Sequence, residues 1–131
     1  MNAPRDFRTP LKRAKGLGSA KSGTGHFLWQ RITAIAILLA GVYLLGLLVG
    51  LSGADYATAR AVVANPLNAT VLIAFLVAAF WHAKLGVQVV IEDYLHDALP
   101  AGMAHLANIL ICALAAIAGV FAVVRIALSG A

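Results

Sequence analysis

The sequence is poor in charged residues and contains a single cysteine, and both shortages limit the class of protein. Only 11% of its 131 residues are Asp, Glu, Lys or Arg, whereas 62% are hydrophobic. Soluble globular domains carry about a quarter charged residues, so this composition excludes a water-soluble fold. Cys112 has no second cysteine in the chain, which excludes an internal disulfide and a thiolate metal cluster.

Charge is missing altogether from two long stretches of the chain, residues 32–54 and 98–124. Each stretch exceeds the roughly 20 residues that a helix needs to cross the hydrocarbon core of a bilayer. A third apolar run begins after Asn65 and Pro66, which together form a typical helix start. The sequence therefore predicts an all-α membrane protein with three transmembrane helices, over about 27–51, 66–95 and 103–127, and a short surface helix over 56–64.

The first 24 residues differ from the rest of the chain in being basic and rich in Gly, Ser and Pro. They show no helical period, so we expect a flexible or partner-ordered arm before a three-helix anchor over residues 25–131. Six basic residues against the lone Asp6 predict a cytoplasmic N-terminus and an external C-terminus. This pattern indicates membrane topology and no nucleic-acid binding. Asp6, Pro4 and Pro10 argue against a mitochondrial transit peptide, which favours a bacterial inner membrane.

His82 lies near the centre of the second predicted span. Ionisable side chains inside a bilayer are costly and tend to be functional. Ala78, Ala79 and Gly86 share its helix face, and such small residues leave a shallow groove for a planar cofactor. Neutral imidazole is a good axial ligand for haem iron, although a histidine that only hydrogen-bonds across a helix interface is also compatible with these residues. A second axial ligand would come from another chain.

Two further groups of polar residues lie near the predicted cytoplasmic ends of the first two spans. Asp93 and Tyr94 follow His82 by 11 and 12 residues, about 17 Å along a helix. A phenol beside a carboxylate can hydrogen-bond a quinone carbonyl, although both residue types are also common at helix ends in membranes. Arg31 is suited either to pairing with a haem propionate or to snorkelling towards the interface.

Two segments of the sequence resemble the smaller hydrophobic anchor subunit, of D type, of succinate dehydrogenase (respiratory complex II). The run 26–34, with His26 followed by Arg31-Ile32-Thr33-Ala34, is similar to the family's entry to its first helix. The run 81–94 is similar to its second-helix signature, a His followed by Gly after three residues and by Asp-Tyr after six more. The resemblance covers residues 25–127.

The resemblance implies roles for five residues in a helix bundle shared between subunits. His82 would be an axial ligand of haem b, with the other axial histidine supplied by the larger cytochrome b anchor subunit. Tyr94, with Asp93 behind it, would border a ubiquinone site shared with that subunit and the iron–sulfur subunit. His26 and Arg31 would lie near the haem propionates. Electrons from succinate, oxidised in the flavoprotein subunit, would thus reach ubiquinone.

The sequence contains no dinucleotide-binding fingerprint and no cysteine cluster, so succinate oxidation and iron–sulfur relay belong to partner subunits. Two other functions are compatible with the residues alone. One is a small transporter or channel component in which His82 and Lys84 line a polar path. That function predicts polar side chains facing His82 from the other spans, and the sequence offers Thr33, Tyr43 and Asn108. The other is a membrane or assembly anchor without a cofactor.

Overall fold

The computed structural model describes Thr9, Leu11 and residues 23–129, and this part of the chain contains no β-strand. Its helices are α1 (Gly23–Gly50), α2 (Tyr56–Ala64), α3 (Pro66–Tyr94) and α4 (Ala98–Ser129). The first, third and fourth are each long and apolar enough to cross a membrane. The predicted three-span, all-α architecture is therefore confirmed. The predicted arm over residues 1–24 lies outside the described residues, apart from Thr9, Leu11 and the first two residues of α1.

Two helices begin earlier than the sequence predicts. The first, α1, begins at Gly23 instead of near Phe27, and the added turn places His26 beside α3. The last, α4, begins at Ala98 instead of near Met103. Pro100 was expected to end the preceding segment, but it lies in the first turn of α4, where a missing N–H breaks no helical hydrogen bond.

The starts of α2 and α3 are fixed by side chains that cap their first turns. The Asp55 carboxylate accepts a hydrogen bond from the Thr58 backbone N–H at 2.9 Å. Hydrogen bonds from the side chain and backbone of Thr58 lower the pKa of Asp55. At α3, the Asn65 side chain accepts from the Leu67 N–H at 3.0 Å, and Pro66 occupies the first helical turn. The predicted helix start at Asn65 and Pro66 is thus confirmed.

The segment between α1 and α3 folds back onto the end of α4. Gly53 has a positive φ of 81°, a conformation open to glycine without steric cost, and this turn leads the chain into α2. Arg60 on α2 donates hydrogen bonds to the Ser129 backbone oxygen at 3.1 Å and to its hydroxyl at 2.7 Å. Together these contacts join α2 to the last turn of α4.

The middle helix of the fold is α3. Both α1 and α4 pack against it, and within the described residues α1 and α4 make no contact with each other. Few side chains are buried by this open arrangement; they are Thr33, Ala69, Ala78, Leu85, Ile91, Asn108 and Val123. The outward faces of the three spans are almost entirely apolar, as expected for helices that meet lipid tails and partner helices.

Small residues bring the helices together at both interfaces. At the α1–α3 interface, a Cβ added to Gly41 would lie 3.5 Å from the Phe75 ring. At the α3–α4 interface, a Cβ added to Gly119 would lie 3.2 Å from a methyl carbon of Leu76. The second contact is the tighter of the two, so a residue larger than glycine at position 119 would require the Leu76 side chain to shift.

Candidate functional site

The imidazole of His82 points from the middle of α3 towards α1. Its Nδ1 atom lies 3.0 Å from the Thr33 hydroxyl oxygen, and its Nε2 atom lies 3.2 Å from the side-chain nitrogen of Gln30. Thr33 is buried, whereas His82 and Gln30 are half-buried. Both ring nitrogens therefore have partners on the same neighbouring helix, which holds the ring in one orientation.

Two tryptophans flank these hydrogen bonds. Trp29 and Trp81 meet edge to face, with ring centroids 6.3 Å apart and an interplanar angle of 61°. Trp81 precedes His82 on α3, and the Trp29 carbonyl accepts a hydrogen bond from the Thr33 hydroxyl at 2.8 Å. The aromatic pair thus locks the same turn of α1 against the same turn of α3.

The space beside His82 differs from the groove that the small residues predicted. Ala78 was expected to leave room for a cofactor, but it is buried, with 8% of its surface exposed, because that side of α3 packs against its neighbours. Gly86 lies one turn beyond His82 and has no atom within 4 Å of an added Cβ. Open space beside the imidazole is therefore found towards Gly86, in the direction of Tyr94.

A polar cleft of about 370 Å³ lies between α1 and α3, on the Gly86 side of the imidazole. Its polar lining consists of His26, Gln30, Gln88 and Glu92. The His26 Nε2 and Gln30 Oε1 atoms are buried and have no hydrogen-bond partner among the described residues. Because an unpaired buried polar atom costs free energy, these two atoms mark a place where a further polar group would be stabilised.

The predicted residue Arg31 lies elsewhere on α1. Its guanidinium carbon sits 4.9 Å from the centroid of the Phe27 ring, in cation–π contact, and its side chain is exposed. One residue is a rotation of about 100° in a helix, so Arg31 and Gln30 occupy different faces. The structure brings His26, and not Arg31, to the cleft beside Gln30.

Asp93 and Tyr94 form the last two residues of α3. Both side chains are exposed, Tyr94 by 78%. They lie about 17 Å from His82 along the helix axis, given the rise of an α-helix. In this chain they therefore form a separate surface beyond the polar cleft, at the end of α3 that lies beside the start of α1.

The remaining polar residues in the spans do not continue from His82 into a path. Tyr43 donates to the Asn68 side-chain oxygen at 2.7 Å. These two residues lie several helical turns from Thr33 and His82. Asn108 is buried and donates to the Lys84 backbone carbonyl at 2.9 Å. Of the three residues that a transport path required, Thr33 alone contacts His82 within the described residues.

A second polar chain runs along α3 from Lys84 towards its end. The Lys84 ammonium donates to the Gln88 carbonyl oxygen at 2.7 Å, and Gln88 donates to the Glu92 carboxylate at 2.8 Å. These contacts join residues four apart, one turn of helix each. They direct the Lys84 side chain along α3 towards the end of the helix.

Gln30 is the member of the site that the sequence did not single out. His26, Gln30 and Thr33 are separated by four and three residues, the spacing that places side chains on one face of a helix. That polar stripe on an otherwise apolar helix was the available signal. No group of three or more metal-binding side chains occurs in the described residues, but an axial haem ligand requires only one imidazole from this chain.

Three apolar helices that hold one imidazole between two of them define a membrane-embedded bundle subunit with an intramembrane histidine site. Comparison with known proteins identifies the family. Residues 5–124 match the succinate dehydrogenase/fumarate reductase transmembrane subunit family. The chain therefore belongs to this family, and the resemblance inferred from the two motifs is confirmed.

Curated relatives sharpen the assignment to the hydrophobic membrane anchor subunit of succinate dehydrogenase. The proteins of that name from Rickettsia bellii and Rickettsia conorii are 41% and 37% identical over 90 and 91 residues, which is 69% of this chain and 72% of each relative. The one from Paracoccus denitrificans is 27% identical over 88 residues, 67% of this chain and 68% of the relative. No solved structure matches the chain significantly. The chain is thus an anchor subunit of an enzyme complex.

Proposed function

We propose that His82 supplies one axial ligand of a haem b that lies between this subunit and the larger cytochrome b anchor subunit, which supplies the other. The observation that carries the proposal is the imidazole in the middle of α3, held through both ring nitrogens by Thr33 and Gln30. A histidine held in one orientation can present a ring nitrogen to iron in a fixed direction.

The residues around His82 fit such a group. The partner of Nε2 is a carboxamide on a flexible side chain, which can turn away and free the nitrogen for iron. The open space at Gly86 gives room for a flat ring system, and the unpaired His26 Nε2 atom can donate to a propionate. Arg31 would reach a propionate by leaving the Phe27 ring. When bound, the haem would accept and release single electrons.

The quinone site is proposed at the end of α3. Tyr94 can donate its phenol proton in a hydrogen bond to a ubiquinone carbonyl, and the Asp93 carboxylate can exchange protons with water. The exposure of both side chains supports this role, because a shared pocket needs surfaces that this chain leaves uncovered. The larger anchor subunit and the iron–sulfur subunit would complete the pocket, and the flavoprotein subunit would oxidise succinate.

The proposed orientation places the start of α1 and the end of α3 at the cytoplasmic face of a bacterial inner membrane. The basic residues before α1 support it, because positive charge is retained on the cytoplasmic side. In this orientation Tyr94 and Asp93 face the compartment in which soluble catalytic subunits reside. Electrons from succinate would enter the membrane from that side.

The proposal is tested by replacing His82 with Leu in the assembled complex. The low-spin bis-histidine signal in optical and electron paramagnetic resonance spectra should disappear, through loss of haem or conversion to high spin. His105→Leu is the matched control, since His105 is a half-buried histidine on α4 without a proposed ligand role. An unaltered low-spin signal in the His82 variant would place the ligand elsewhere.

A further inference from the structure

We propose that Thr33 is a positioning residue that fixes the tautomer of His82, so that Nε2 always presents its lone pair and Nδ1 always carries the proton. The inference rests on the proposed role of His82 as a haem ligand and assigns a function to its partner on α1. The Thr33 hydroxyl, the His82 imidazole and the Gln30 amide have a limited number of protons for the hydrogen bonds between them.

The proton of the Thr33 hydroxyl is already used within α1. The hydroxyl donates to the Trp29 carbonyl at 2.8 Å, with the Gln30 carbonyl at 3.2 Å as a second acceptor. A threonine hydroxyl has one proton and two lone pairs. With its proton donated to the Trp29 carbonyl, the hydroxyl oxygen is left as the acceptor in the 3.0 Å contact with His82, and we assign Nδ1 as the donor.

The second ring nitrogen then follows by elimination. A neutral imidazole carries one proton, and Nδ1 holds it, so Nε2 has a free lone pair. The Gln30 side-chain nitrogen, 3.2 Å away, is a donor and is compatible with that lone pair. The two contacts thus agree on one tautomer, in which the Nε2 lone pair would be available to iron once the Gln30 amide turns away.

Burial makes this hydrogen bond persistent. Thr33 is 6% exposed, so water cannot easily replace its oxygen as the acceptor. The Trp29–Trp81 contact holds the turn of α1 that carries Thr33 against the turn of α3 that carries His82. A hydrogen bond from the distal ring nitrogen to an oxygen makes the ligating nitrogen more basic. Thr33 should therefore stabilise the oxidised iron relative to the reduced iron.

The test is Thr33→Val in the assembled complex, which keeps the branched shape and removes the acceptor. We expect the low-spin haem to remain, with a changed electron paramagnetic resonance g-tensor. The equilibrium between oxidised and reduced haem should shift about two- to tenfold towards the reduced form, a rise in midpoint potential of roughly 18–59 mV for one electron. Thr33→Ser, which restores the hydroxyl, should return both properties to their original values.

Thr70→Val is the matched control. The Thr70 hydroxyl donates to the Pro66 carbonyl four residues earlier at 2.7 Å, just as Thr33 does to Trp29, but Thr70 is exposed and has no histidine partner. Removing it loses a comparable bond within a helix and should leave the haem potential and g-tensor unchanged. A difference between the two variants thus isolates the contact with His82.

An unchanged potential and g-tensor in Thr33→Val would overturn the role of Thr33 while leaving His82 as ligand. A His82→Leu complex that keeps its low-spin haem would instead overturn the proposed function. If Thr33→Val does not assemble, electron–nuclear double resonance on the unaltered complex in D₂O decides. One axial Nδ1 proton should resist exchange, and rapid exchange of both would contradict the buried hydrogen bond.

Discussion

The two interfaces of α3 use polar residues in different ways. At the α1–α3 interface, Thr33 and Gln30 bond to a side chain, His82, and buried polar atoms are left without partners. At the α3–α4 interface, the buried Asn108 donates to a backbone carbonyl, that of Lys84. Every residue has a backbone carbonyl, whereas only histidine has an imidazole.

The difference agrees with a structural role for the α3–α4 interface and with the ligand site proposed at the α1–α3 interface. A bond to a backbone carbonyl remains possible whatever the side chain of the partner residue, so it favours helix association and little else. Unpaired buried atoms cost stability unless another group satisfies them. We therefore expect substitutions at the α3–α4 interface to change stability, and substitutions at the α1–α3 interface to change the cofactor.

The largest difference between the two interfaces should come from a substitution that fills the space beside His82. A Cβ added at Gly86 has no atom of this chain within 4 Å, so we expect the fold to tolerate Gly86→Leu, while a haem in that space would be displaced. Overpacking costs about 1–3 kcal/mol, a 5–150-fold loss of haem retention, measured as haem per assembled complex. Gly46→Leu, also without a close neighbour, should retain full haem. Normal haem content in the Gly86 variant would move the cofactor away from this face.

A second substitution fills the tight contact between α4 and α3. Gly119→Val should force Leu76 aside and destabilise the complex by about 1–3 kcal/mol, because the added Cβ begins 3.2 Å from a Leu76 methyl. The thermal denaturation temperature should fall, while the haem spectrum of the assembled protein stays the same. Ala118→Val, at an exposed position of α4, serves as the control. A spectral change in the Gly119 variant would mean that the two interfaces are not independent.

A smaller effect is expected from the polar contact at the same interface. Asn108→Leu keeps the size of the side chain and removes its bond to the Lys84 carbonyl. Interhelical hydrogen bonds in membranes contribute about 0.6 kcal/mol on average and up to about 1.7. Thermal stability should decrease by that amount and the haem potential should not move. Ile109→Leu, next to it and exposed, is the comparison; a shifted potential in Asn108→Leu would argue for a role beyond packing.

The smallest effect is expected from removing a tyrosine hydroxyl at one end or the other of the α1–α3 pair. Tyr94→Phe should lower the rate of quinone reduction about two- to twelvefold, the loss of one hydrogen bond of 0.5–1.5 kcal/mol, with succinate oxidation by a soluble acceptor unaffected. Tyr43→Phe loses the bond to Asn68 at the other end and should leave quinone kinetics unaltered. Equal kinetics in both variants would assign Tyr94 to the aromatic belt of the membrane interface.

Much of the fold follows from the sequence because hydropathy and helix starts are local properties. The three spans, the short helix before Asn65 and the role of Pro66 needed no knowledge of neighbouring helices. Pro100 was misleading because proline ends a helix in its interior but is accommodated in its first turn. The presence of a proline alone does not decide between these two positions.

The site was predictable in part. An ionisable residue at mid-span draws attention on energetic grounds, which is why His82 was found. Helical spacing shows which residues share a face of α3, but it does not show which helix that face meets. Ala78 was therefore expected to border open space and is buried, and Gln30 was missed. Both depend on how α1 packs against α3, a property of the tertiary structure.

The lack of contact between α1 and α4 has a consequence for how the sequence can diverge. Thr33 acts on α3 from one side and Asn108 from the other, without a shared partner. Free-energy effects of substitutions at distant sites of this kind add, so a change in one outer helix needs no compensating change in the other. Within the described residues, the sequence of α4 can change to suit lipids or partners while α1 keeps its polar stripe. Of the three spans, α3 is the one whose sequence must satisfy both of the others.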